Sequence, residues 1–144
     1  MSSIRRADFP HIMQIQTRWG DNDMLGHLNN VSYYRYIEAV VVDFMMKEGE
    51  LDWYHDPVVP YAAESSCKFI KGLAFPENIT GGLKVAKIGT TSVIYEIALF
   101  GTSKDSPAAT GRFVHVFVDR ETEKPTSIPD HLRALFVKYL VEAE

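Results

Sequence analysis

From Asn30 to Lys47, apolar side chains recur at Val31, Tyr34, Ile37, Val41, Phe44 and Met45, three and four residues apart, and Gly49 follows as a stop signal. This spacing predicts one long helix. Its other face adds Val40, Val42 and Met46, so only the surroundings of Arg35, Glu38 and Asp43 look ready for water. A helix that is apolar on nearly every side has to be wrapped by the rest of the chain.

The segments around it have a period of two instead. Residues 11–19 put Met13, Ile15, Thr17 and Trp19 on one side and Gln14, Gln16 and Arg18 on the other, which predicts a first strand. Residues 58–71 alternate in the same way, with Val59, Tyr61, Ala63, Ser65, Cys67 and Phe69 opposite Glu64, Ser66 and Lys68. Three more strands are expected at 80–88, 92–100 and 111–119, divided by turn signals at Pro76-Glu77-Asn78, Ile88-Gly89-Thr90 and residues 103–107. These form an antiparallel meander, and Pro129 then opens a short final helix through Leu132, Leu135, Phe136 and Tyr139.

A strand, a long helix and four further strands make an α+β order, in which one helix packs against a curved antiparallel sheet of about five strands. With 144 residues, 46% of them apolar, the chain is expected to form a single domain, residues 1–144, around one core. Such a sheet has open edges, so self-association as a dimer or tetramer is expected.

Charge and cysteine usage narrow the function. A net charge of −4, with both signs interspersed, lacks the basic face of a nucleic-acid-binding module. No run approaches the ~18 apolar residues of a membrane span, and residues 1–6 lack the apolar core of a signal peptide. A cytoplasmic protein without nucleic-acid or membrane partners is therefore expected. The lone Cys67 excludes an intrachain disulfide. His11, His27, His55, His115 and His131 are scattered, with no metal-ligand spacing, so no metal is expected.

Just ahead of the helix, residues 18–30 read Arg-Trp-Gly-Asp-Asn-Asp-Met-Leu-Gly-His-Leu-Asn-Asn. Gly26 permits a sharp turn, while Asn29 and Asn30 stand where a helix cap belongs. The first N–H groups of a helix lack intrahelical acceptors and carry partial positive charge. A carboxylate beside such amides suits acyl chemistry, which needs a nucleophile or general base together with donors for a developing oxyanion. Asp23 is the candidate carboxylate, although an aspartate before a helix also serves Asx turns. Asp21, two residues earlier, reads as structural.

The pattern Arg-x-x-Asp-x-Asp-x-x-Gly-His-x-Asn-Asn at residues 18–30, followed by Tyr33 to Glu38, resembles the hotdog-fold acyl-CoA thioesterases, and within them the 4-hydroxybenzoyl-CoA thioesterase-like subgroup. Gly89-Thr90-Thr91-Ser92 and the strand at 111–119 extend the likeness over nearly the whole chain. The resemblance implies a hotdog fold and hydrolysis of an acyl-CoA to a carboxylic acid and free coenzyme A. No cofactor is implied, because coenzyme A enters as part of the substrate. Asp23 maps onto the catalytic carboxylate, as nucleophile or as general base, and the amides near Asn29 and Asn30 onto the groups that polarise the carbonyl. The sequence departs from the benzoyl-type members in having His27 and is closer to those with a Gly-His-x-Asn-Asn run. The resemblance therefore gives His27 and Asn30 supporting roles in orienting substrate or water.

Tyr33 is a candidate wall of the acyl pocket, and the Thr91 and Ser92 hydroxyls are candidate partners of the pantetheine arm. Lys71, Lys84, Lys87 and Arg112 are candidates for the phosphates. Glu38, on the helix, is the second-choice base. Two other readings stand beside hydrolysis. One is a hotdog hydratase or dehydratase, for which the four-residue offset from Asp23 to His27 and the missing proline are departures. The other is a non-catalytic acyl-CoA-binding module.

Overall fold

The computed structural model describes residues 4–141, so the first three residues of the N-terminal stretch read above lie outside it. Five strands, β1 (His11–Gln16), β2 (Val58–Phe69), β3 (Asn78–Ile88), β4 (Ser92–Phe100) and β5 (Ala109–Asp119), form one antiparallel sheet in the order β1-β3-β4-β5-β2. Two helices, α1 (Asn30–Lys47) and α2 (Asp130–Tyr139), accompany them. The expected α+β hotdog arrangement is present, a long helix wrapped by a curved sheet. The β3-β4-β5 part is the meander, whereas β2 follows α1 in the chain and reaches the far edge beside β5.

The helix lies on the sheet because the sheet makes room for it. Ile37, Val40, Val41 and Phe44 of α1 are almost completely buried against Leu83, Val85, Tyr95 and Ile97. Fully burying side chains of this kind contributes about 1.5–3 kcal/mol each. Two glycines set the approach. Beneath Ile37, a Cβ on Gly111 would stand 2.6 Å from Ile37 Cδ1, and a Cβ on Gly81 would collide with Val40 Cγ2. Phe136 of α2 then closes the core, with its ring stacked 6.3 Å from Phe44.

One bound each of β2, β3 and β5 shifts by two residues from the sequence reading, and two further details change. The first strand ends at Gln16, because Arg18 N–H donates to Asp21 Oδ2 and Asp21 N–H donates back to Arg18 O, which winds Trp19–Asp21 into a 3-10 turn. Trp19 is thereby swung out of the strand row and left 77% exposed. Asp43 does not face water. Its carboxylate lies 3.0 Å from His11 Nε2 and 2.9 Å from Lys47 Nζ, under the end of β1. Among the described residues, no helix is long and apolar enough to cross a membrane.

Candidate active site

The residues between the 3-10 turn and α1 form a closed loop. Asp23 N–H donates to His27 O at 2.8 Å and Gly26 N–H to Asp23 O at 3.1 Å, while Asn22 and Leu28 pair across the base. Gly26 takes a φ of +79°, in the left-handed region that a side chain disfavours. Asp23 divides its carboxylate between two tasks. Oδ1 accepts the Leu25 N–H at 2.8 Å in an Asx turn, and Oδ2 has no protein hydrogen-bond partner among the described residues. The Asx turn and a chemical role are thus compatible, since the turn fixes the side chain through one oxygen only.

The helix start is assembled next to it. Asn29 is the cap, with Oδ1 accepting the Val31 N–H at 2.9 Å and its carbonyl accepting the Ser32 N–H at 2.9 Å. Asn30 is the first helical residue rather than the cap. Asn29 N–H is already committed to Asp21 O at 2.8 Å. The Asn30 N–H is therefore the first-turn amide left without an acceptor among the described residues, at the positive end of an 18-residue helix.

A cleft of about 380 Å³ brings together Asp23, His27, Asn30 and Tyr33. Its opposite wall is the segment that follows β2, with Phe69, Ile70, Lys71 and Gly72. Hydrogen bonds hold the two walls in place: Leu28 N–H to Leu73 O at 2.7 Å, Leu73 N–H to the Tyr33 hydroxyl at 3.2 Å, and Phe75 N–H to Asn22 Oδ1 at 3.1 Å. Burial pushes the Tyr33 phenol above its ordinary pKa, so it stays protonated. Its ring meets Phe69 edge to face, with centroids 5.1 Å apart.

Gly72 was not singled out by its sequence, yet a Cβ there would come within 3.1 Å of His27 Cδ2. The imidazole occupies the space that a side chain there would need. The only sequence signal was a glycine directly after Lys71, where the predicted strand ends. Of the four basic candidates, Lys71 lies in the cleft. Lys84 and Arg112 line a separate hollow of about 380 Å³ on the sheet face turned away from α1, and Lys87 is exposed.

Other candidates lie elsewhere. Glu38 is exposed on α1, outside the cleft lining. Thr91 and Ser92 sit at the β3–β4 turn, where Ser92 O accepts the Gly89 N–H and Thr91 O accepts the Phe117 N–H. That turn is at the opposite end of β3 from Asn78 and the cleft, roughly 30 Å along the strand.

Asp21, by contrast, is buried and held through Oδ2 and its carbonyl. Its Oδ2 accepts the Tyr36 hydroxyl at 2.5 Å and the Arg18 N–H at 2.9 Å, and its carbonyl accepts the Ser32 hydroxyl at 3.0 Å. Burial opposes ionisation of this carboxyl, but the hydrogen bonds from Tyr36 and Arg18 outweigh it and hold the group below the usual range. Burial, and then the bond to Asp21, push the Tyr36 phenol far up. Each aspartate keeps one oxygen without a hydrogen bond among the described residues, but only Asp23 lines the cleft; Asp21 Oδ1 lies 4.0 Å from Arg18 Nη2.

Known proteins share this fold. The chain is similar to the PA5185 protein from Pseudomonas aeruginosa strain PAO1, at 39% identity and a TM-score of 0.94 over 99% of this chain and 100% of that one. It is 24% identical to the YsmA protein of Bacillus subtilis (strain 168) over 87% of this chain and 84% of that protein. Its fold matches Slr0204, a 1,4-dihydroxy-2-naphthoyl-CoA thioesterase from Synechocystis, with a TM-score of 0.80 at 11% identity, covering 88% of this chain and 95% of that one. Residues 17–136 match the family model of the thioesterase-like superfamily, a span that holds the Asp23 loop, both walls of the cleft and the whole of α1. The chain belongs to the thioesterase-like superfamily and is a thioester hydrolase.

Proposed function

We propose that the thioester is an acyl-CoA, hydrolysed in the Asp23 cleft to a carboxylic acid and free coenzyme A. One observation carries this reading: Asp23, with Oδ2 free of hydrogen bonds, and Asn30, with an unpaired helix-start amide, both line the same cleft. In the general-base form, Asp23 takes a proton from water as the water oxygen bonds to the acyl carbon. The Asn30 amide receives the oxyanion, the C–S bond breaks, and the departing thiolate takes the proton back. In the nucleophilic form, the Asp23 oxygen bonds to the acyl carbon as the C–S bond breaks and the thiolate leaves; water then opens the anhydride, freeing the acid and the Asp23 carboxylate and supplying the proton that the thiolate takes up. His27 and the Asn30 side chain orient water or substrate.

Tyr33 and Phe69 give the cleft an aromatic wall, and Lys71 stands at its mouth for the phosphates. The name of the Synechocystis protein is a reason to include aromatic acyl groups among the substrates tested. Thr91 and Ser92 join this reading through self-association, in which the β3–β4 turn of a second copy meets the pantetheine arm.

The test is thiol release from short, long, branched and aromatic acyl-CoAs by the wild type, Asp23→Asn and Glu38→Gln. We expect Asp23→Asn to lose roughly 10²–10⁴-fold in kcat and Glu38→Gln to remain active. Full activity in Asp23→Asn, or no cleavage of any thioester by the wild type, would sink the proposal.

A further inference from the structure

We propose that Asp21 is a positioning residue that holds the first two turns of α1, and with them the Asn30 amide, in register with Asp23. This rests on the assignment of the Asp23 cleft as the site of hydrolysis. The geometry concentrates on one residue. The Asp21 carbonyl accepts from Asn29 N–H at 2.8 Å and from the Ser32 hydroxyl at 3.0 Å, so it fixes the cap and the first turn. Its carboxylate accepts the Tyr36 hydroxyl at 2.5 Å, which fixes the second turn. The same Oδ2 accepts the Arg18 N–H at 2.9 Å, which ties the 3-10 turn leading into the Asp23 loop. Asp21, Ser32 and Tyr36 are all buried, so these bonds do not compete with bulk water.

The requirement is geometric. An oxyanion donor is effective only when it already points at the place where charge develops, and small displacements are costly. Asp21 stands two residues from Asp23 and bonds directly to the cap of the helix whose amide serves the carbonyl. A shift of α1 against the loop therefore has to break bonds at the Asp21 carboxylate and carbonyl. Asn29 and Ser32 alone would cap the helix without fixing where it sits.

Tyr36→Phe removes the bond to the second turn with little change of volume, and Asp21→Asn keeps the shape with a weaker acceptor. Each is assayed where circular dichroism finds it fully folded, beside the wild type and Asp23→Asn. We expect kcat to fall roughly tenfold in each, KM to stay within about twofold, and the double variant to be no worse than the weaker single variant, because both act on the Tyr36–Asp21 bond. Amide exchange at residues 29–32 should quicken in both variants, a readout that needs no activity. Folded variants with wild-type kcat and unchanged exchange would overturn the positioning role and leave the hydrolysis reading intact. If Asp23→Asn matches the wild type, the hydrolysis reading of the cleft falls instead; unchanged exchange would then overturn the positioning role as well, and quickened exchange would support it.

Discussion

His115 lies on the inner face of β5, 4% exposed, with Nδ1 3.1 Å from the Tyr95 hydroxyl and the rings of Phe113 and Phe117 on either side. Burial drives its pKa down to about 3, so the folded protein holds the ring neutral. The unfolded chain protonates near the ordinary value of about 6.5. Protons therefore bind the unfolded state first, and the contribution of His115 to stability declines as pH falls from about 6.5 towards 3. Above pH 6.5 this residue adds no pH dependence. Between pH 7 and pH 5 the loss should be about 2 kcal/mol, visible as a lower urea midpoint at the more acid pH. His115→Phe should flatten that slope whatever its effect at pH 7, and an equally steep slope would refute the assignment. In sequence, His115 was one of five scattered histidines, because its isolation comes from strands that meet only in the fold. Asp23 was easier to find, since its loop, cap and helix are contiguous in the chain. Asp21 already read as structural from its place two residues before Asp23, but its partner Tyr36, fifteen residues further on, is reported by no local pattern.

At the level of elements, periodicity located α1, β4 and the two turns around β4 well, because each is regular over its whole length. What it missed was why α1 can lie so close to the sheet. Gly111 reads as the start of a strand and Gly81 drew no reading of its own, yet both are contact points beneath the helix. Gly111→Ala is informative here, since its Cβ would stand 2.6 Å from Ile37 Cδ1 and 2.8 Å from the backbone Ser66 O. The isoleucine can turn aside, but the carbonyl is held in the β2–β5 ladder. Overpacking of this kind typically costs about 1–3 kcal/mol, and denaturant unfolding should register a lower midpoint with an unchanged slope. A variant as stable as the wild type would mean that the sheet yields under the helix. Trp19 failed as a strand residue for a comparable reason, since the reciprocal bonds between Arg18 and Asp21 override its alternation.

For the molecule as a whole, the unresolved physical demand is at β2. It is a sheet edge twelve residues long, and from Tyr61 to Ser66 it is exposed on both faces, so a row of backbone donors and acceptors on its outer edge has no partner strand among the described residues. Apolar surface continues from its end. Phe69 and Ile70 are about half exposed, and the Phe69 ring lies 6.4 Å from that of Tyr34, beside Val31 on the open side of α1. A long bare edge joined to an apolar patch calls for a cover, and a second copy of the same strand supplies matching hydrogen bonds by two-fold symmetry. Light scattering should accordingly return the mass of two or more chains. Ala63→Asp, placed at the irregularity in the middle of β2, would set two carboxylates close together across such an axis. It should shift the protein towards the single-chain mass and weaken thiol release if Thr91 and Ser92 act from the partner copy. A wild type with the mass of one chain would refute pairing outright, and an Ala63→Asp variant of unchanged mass would move the contact away from β2.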